Sequence, residues 1–82
     1  MDEETMAAVV ARFAPRLREL RDRAKLSQTD LARRSGVPQA TVAAYEVGRH
    51  SPTWGAAVRL ANALGVSLDS FLAAPEKKQE AT

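Results

Sequence analysis

The chain predicts an all-α fold, and three observations carry that expectation. Apolar residues recur at helical spacing, most plainly in Trp54, Ala57, Val58, Ala61 and Leu64. No segment alternates apolar with polar residues over four or more positions, and β-branched residues are scattered. Gly and Pro number only four each in 82 residues, few enough to leave long uninterrupted helical stretches. A chain of this size folds as one unit and buries only somewhat more than ~60% of its unfolded surface, which leaves no room for an enclosed catalytic cleft.

The elements follow in order. Thr5 is placed to cap a leading helix that carries Val9, Val10 and Phe13. Pro15 removes a backbone donor and disfavours a helical Ala14, so a kink or break is expected there. From Pro15 a second stretch continues the apolar row through Leu17, Leu20 and Ala24 and ends near Lys25. Ser27 then caps a helix from Gln28 to about Ser35, with Asp30 as its capping-box partner and Leu31, Ala32 and Ser35 on the inner face. Gly36 ends that helix in the left-handed conformation. Pro38 opens the next, with Val42 and Tyr45 inward, and Gly48 closes it. Thr53 caps the helix of the Trp54 row, which Gly65 stops, and Trp54 is expected in the core. Ser67 caps a last short helix through Leu68, Phe71 and Leu72, and Pro75 begins a solvated tail.

Composition narrows the function. Cysteine is absent and His50 is the single histidine, so neither a disulfide scaffold nor a metal site is expected, and no cofactor is implied. No carboxylate pair, activated nucleophile or phosphate-cradling glycine loop points to an enzyme or to catalytic residues. The opening MDEET is acidic where a signal peptide is basic, and no run of about 18 apolar residues exists, so a cytoplasmic location without membrane attachment is expected. Net charge is only +2, from 12 Lys+Arg against 10 Asp+Glu. Yet residues 12–34 carry Arg12, Arg16, Arg18, Arg21, Arg23, Lys25, Arg33 and Arg34 against Glu19, Asp22 and Asp30, a local basic excess that fits a polyanion partner.

Two helices joined by a tight glycine turn cross steeply only where the side chain at the crossing is small. Ala32 sits at that crossing, Gly36 makes the turn and Val42 plugs the core beneath it. With FAPRLRELRDRAKLSQTDLARRSGV, then ATVAAYEVGRHSP, then LANALGVSLDSFL in order, the run from Phe13 to Leu72 resembles the Cro/lambda-repressor-type (xenobiotic-response-element) helix-turn-helix family. The resemblance implies a compact five-helix lambda-repressor-like DNA-binding domain over 13–73, with its helix-turn-helix at 28–47. An N-terminal extension, 1–12, partly helical, and a flexible tail, 74–82, would flank it.

The same resemblance implies that the helix over about 38–46 enters the major groove of double-stranded DNA. Gln39, Ala40, Ala43 and Ala44 would then face bases. Gln28 would bind a phosphate or support Gln39, and Thr41 would lie near the DNA backbone. Glu46 would pair with Arg21 as a structural ion pair. The chemistry of the residues agrees: glutamine can bind adenine in a bidentate manner and alanine methyls can touch thymine methyls. Arg49 and His50, just past the helix, are placed to meet phosphates. Two features depart from the family pattern: Pro38 stands where a capping Ser or Thr is usual, and Ala43, Ala44 and Val47 stand where Asn, Arg or Lys is common.

The function implied is a transcriptional regulator that binds a palindromic operator as a homodimer, through a seam at Leu68 and Phe71, at Met6 to Val10, or both. The alternative is an antitoxin-like or accessory protein-interaction module, which the apolar outer face of the helix over 38–46 also suits.

Overall fold

A computed structural model of the chain describes residues 3–71, with side chains described from residue 11 onward. Four α-helices, α1 (Glu3–Arg23), α2 (Gln28–Ser35), α3 (Gln39–Glu46) and α4 (Trp54–Leu64), are followed by a 3-10 turn, Leu68–Phe71. No strand occurs among the described residues.

The first departure from expectation is at Pro15, where α1 runs through without a break. A proline inside a helix costs about 3 kcal/mol and leaves the carbonyl four residues back without its donor. Here Phe13, Leu17 and Leu20 are all buried on one face, while Pro15 and Ala11 are both exposed. Water can therefore satisfy the orphaned carbonyl, and burial of the apolar row keeps the helix whole. Thr5, expected as a cap, lies inside this helix.

α1 ends in a Schellman turn, with Leu26 N–H donating to the Arg21 carbonyl at 3.2 Å and Lys25 N–H to the Asp22 carbonyl at 3.0 Å. Lys25 occupies the left-handed position, at φ 60°, that glycine usually fills. The capping box expected at α2 is present: Ser27 Oγ accepts from Asp30 N–H at 2.9 Å, and the Asp30 carboxylate accepts from Ser27 N–H at 3.2 Å. Thr53 caps α4 by accepting from Ala56 N–H at 3.0 Å.

The core joins Phe13, Leu17 and Leu20 of α1 to Leu31, Val37, Val42, Tyr45, Leu60, Ala61 and Phe71. Within it Phe13 joins two aromatic rings, edge-on to Tyr45 at 5.9 Å and tilted against Phe71 at 4.9 Å. Arg16 is buried with them and donates from Nε to the Ser70 carbonyl at 2.7 Å, which ties the last turn to α1.

Two expectations fail in this region. Trp54 is 75% exposed rather than core, because the buried face of α4 is Ala57, Leu60 and Ala61. At 100° per residue, Trp54 lies about 70° from the centre of that face, at the edge of the apolar row. Phe71 is 1% exposed, filled in by the chain's own core, and so unavailable as a dimer seam. The other seam named from the sequence, Met6 to Val10, and the expectations for Leu72, Pro75 and the tail lie outside the described side chains.

Candidate nucleic-acid interface

α2 and α3 form a tight hairpin whose sharpness has local causes. Gly36, at φ 80°, reverses the chain and donates its N–H to the Ala32 carbonyl at 2.9 Å. Val37 drops into the core beneath the turn, and its N–H is held by Ser35 Oγ at 3.1 Å. Pro38 then starts α3 without a side-chain cap, and its carbonyl accepts from Thr41 N–H at 2.9 Å and Val42 N–H at 3.0 Å. With Val42 fully buried and Tyr45 nearly so, the helix has one orientation, and Gln39 and Ala40 stand on its exposed side.

At the back of α3 a connected polar chain links four side chains. Arg21 donates from Nε to Glu46 Oε2 at 2.6 Å and from Nη2 to Oε1 at 3.0 Å, a bidentate pair. Its Nη1 also donates to the Leu26 carbonyl at 2.8 Å, which fixes the α1–α2 junction. Gln28 donates from Nε2 to Glu46 Oε1 at 3.0 Å, and Gln39 donates from Nε2 to Gln28 Oε1 at 2.8 Å. The Glu46 side chain is only 4% exposed, and burial by itself would penalise its charge. Hydrogen bonds from Arg21 and Gln28, with the attraction of Arg21 and Arg18, outweigh that penalty and hold the carboxyl below its ordinary range. The hydrogen bond to Glu46 raises Arg21 in turn, so the pair is charged at neutral pH.

On the outer side Ala40, Ala43, Ala44, Val47 and Arg49 line a shallow, mainly apolar groove. A second Schellman turn builds its end: Gly48 N–H donates to the Tyr45 carbonyl at 3.1 Å and Arg49 N–H to the Ala44 carbonyl at 2.9 Å. This turn fixes the Arg49 backbone beside the groove. Val47, which sequence reasoning did not place in the site, is 72% exposed there. His50 is not brought to the groove; it lines a separate small recess with Phe13, Ala14 and Tyr45. Thr41 is half-buried and is not among the groove residues, while Arg33 is exposed and lies 3.5 Å from Asp30.

The hairpin, its exposed glutamine and Arg49 at the groove's end together have the form of a DNA-reading element, and residues 12–73 match the helix-turn-helix domain family. The chain belongs to that family. It is 33% identical over 60 residues to YqaE of Bacillus subtilis, an uncharacterized HTH-type transcriptional regulator, over 73% of this chain and 52% of YqaE. It thus spans about half the length of that relative. Another uncharacterized HTH-type transcriptional regulator, from Methanothermobacter thermautotrophicus, is 47% identical over 49 residues, covering 60% of this chain and 71% of its own. The helix-turn-helix domain also superposes on the restriction-modification controller protein C.AhdI from Aeromonas hydrophila with a TM-score of 0.73 and 35% identity. That match covers 79% of this chain and 97% of C.AhdI.

Proposed function

We propose that this helix-turn-helix domain is a sequence-specific transcriptional regulator that inserts α3 into the major groove of double-stranded DNA. The observation that carries the reading is Gln39, exposed at the start of α3 and held by Gln28 at 2.8 Å, beside an apolar groove. In this arrangement Gln39 binds an adenine edge, and Ala40, Ala43 and Ala44 meet thymine methyls. Arg49 meets a phosphate at the groove's end, and His50 and Thr41 make flanking backbone contacts. Gln28 keeps a second Nε2 hydrogen for a phosphate oxygen while it supports Gln39.

One domain of this kind buries only about 600–1,000 Å² on DNA, so useful affinity calls for two. The regulator therefore acts as a homodimer on a palindromic operator, with its two α3 helices about 34 Å apart. It works in the cytoplasm, and no described helix is long and apolar enough to cross a membrane.

The exposed Val47 and the apolar groove favour one alternative, an antitoxin-like or accessory module that binds a protein through this face. Salt decides between them. Operator binding that neutralises several phosphates weakens by orders of magnitude between about 50 and 200 mM salt, whereas an apolar protein contact hardly changes. Absence of salt-sensitive binding to duplexes selected from a random pool would overturn the DNA reading.

A further inference from the structure

Gln39 is not free to present its amide either way round. The Arg21 guanidinium can only donate, and it donates twice to Glu46. The Glu46 carboxylate can only accept, so Gln28, 3.0 Å away, approaches it with Nε2. That turns Gln28 Oε1 toward Gln39, which must answer with its own Nε2 at 2.8 Å. The sense of each amide is set by the group before it, and the first is set by a charge pair. Reversing Gln39 alone would put its oxygen against Gln28 Oε1. Reversing both would put the Gln28 oxygen against a carboxylate whose side chain is 4% exposed.

We infer that Glu46 is a positioning residue that, acting through Gln28, makes Gln39 a reader of adenine rather than guanine. The inference rests on the reading of α3 as the DNA-contacting helix. With one Nε2 hydrogen engaged by Gln28, Gln39 offers the other hydrogen and its carbonyl oxygen. Adenine presents an acceptor at N7 and a donor at N6, which match that pair. Guanine presents acceptors at both N7 and O6, so Gln39 Oε1 would face O6. Glu46 thus has a role beyond holding α1 to α3.

The test uses the full chain and duplexes selected from a random pool. The position read by Gln39 is the one whose base preference Gln39→Ala abolishes. The ratio of affinities for adenine and guanine at that position is then measured for wild type, Glu46→Gln and Gln28→Leu, after thermal melts establish that each is folded. In Glu46→Gln the new amide can give or take a hydrogen bond, so the sense of the chain is no longer fixed. Gln28→Leu cuts the chain and leaves the Arg21–Glu46 pair in place.

Wild type should prefer adenine by roughly 5- to 150-fold, the range of one good bidentate contact. Both variants should bring the ratio down toward the Gln39→Ala value, with the ranking of bases elsewhere in the site unchanged. A wild-type ratio in either folded variant overturns the inference, and Gln28→Leu decides the matter should Glu46→Gln fail to fold. If Gln39→Ala itself abolishes no base preference, the recognition reading falls and this inference with it, an outcome distinct from failure of the relay alone.

Discussion

Replacing Glu46 with alanine strands three donors at once: Arg21 Nε, Arg21 Nη2 and Gln28 Nε2. The Arg21 side chain is only 12% exposed, so water replaces the lost carboxylate poorly. Arg21 keeps its hydrogen bond to the Leu26 carbonyl and a 3.7 Å approach to Asp22. The loss therefore sits at the low end of that for removing one member of a buried pair, about 3 kcal/mol. A chain of this length loses roughly 4–8 °C per kcal/mol, so the melting temperature should fall by about 12–24 °C at pH 7. Glu46→Gln keeps an acceptor in the same place and should fall about half as far. Circular dichroism melts of the three proteins test this directly. A fall of less than about 4 °C in Glu46→Ala would mean that the pair holds nothing together.

Acid should act on the same site. The folded Glu46 carboxyl lies below its unfolded value of 4.5, so its contribution is complete above that pH and is lost as pH falls through the folded value. Asp30, lowered by its hydrogen bonds with Ser27, works in the same direction. Melting temperatures should hold from neutral pH to about 5 and drop below about 4.5, more shallowly in Glu46→Gln. An equally steep acid limb in that variant would contradict the assignment. Lys25→Gly should raise the urea midpoint, with a gain of up to about 1 kcal/mol, because it removes a left-handed side-chain strain at φ 60°. A lowered midpoint would show that no such strain exists. Trp54→Ala should change stability by no more than about 0.5 kcal/mol, as surface substitutions do. A loss above about 2 kcal/mol would put Trp54 in the core after all.

Features set by neighbours along the chain are legible in the sequence. The Ser27–Asp30 capping box, the Gly36 turn and the Thr53 cap each depend on residues within about four positions, and each is as expected. Val42 and Tyr45 were legible because a short helix has only one apolar face to bury. Features decided by tertiary packing were not. Proline chemistry argues for a break at Pro15, yet burial of Phe13, Leu17 and Leu20 overrides it. In α4 two overlapping rows both satisfy helical spacing, and only the neighbours show that Leu60 rather than Trp54 is inside.

At the site, the resemblance named the Arg21–Glu46 pair and the support of Gln39 by Gln28, but not the Gln28–Glu46 hydrogen bond that joins the two. Gln28 and Glu46 are 18 positions apart, and their contact exists only because α2 and α3 cross where they do. The exposure of Val47 has a comparable origin, since its place beside Ala43 and Ala44 depends on how Gly48 ends α3.

The central claim is that α3 reads bases through Gln39. Titrating wild type and Gln39→Ala against a selected duplex and its single-base variants tests that most directly. The account predicts a loss of roughly 1–3 kcal/mol in affinity and the disappearance of preference at one base pair, with preferences elsewhere retained. Affinity and base preference both unchanged in Gln39→Ala would contradict it.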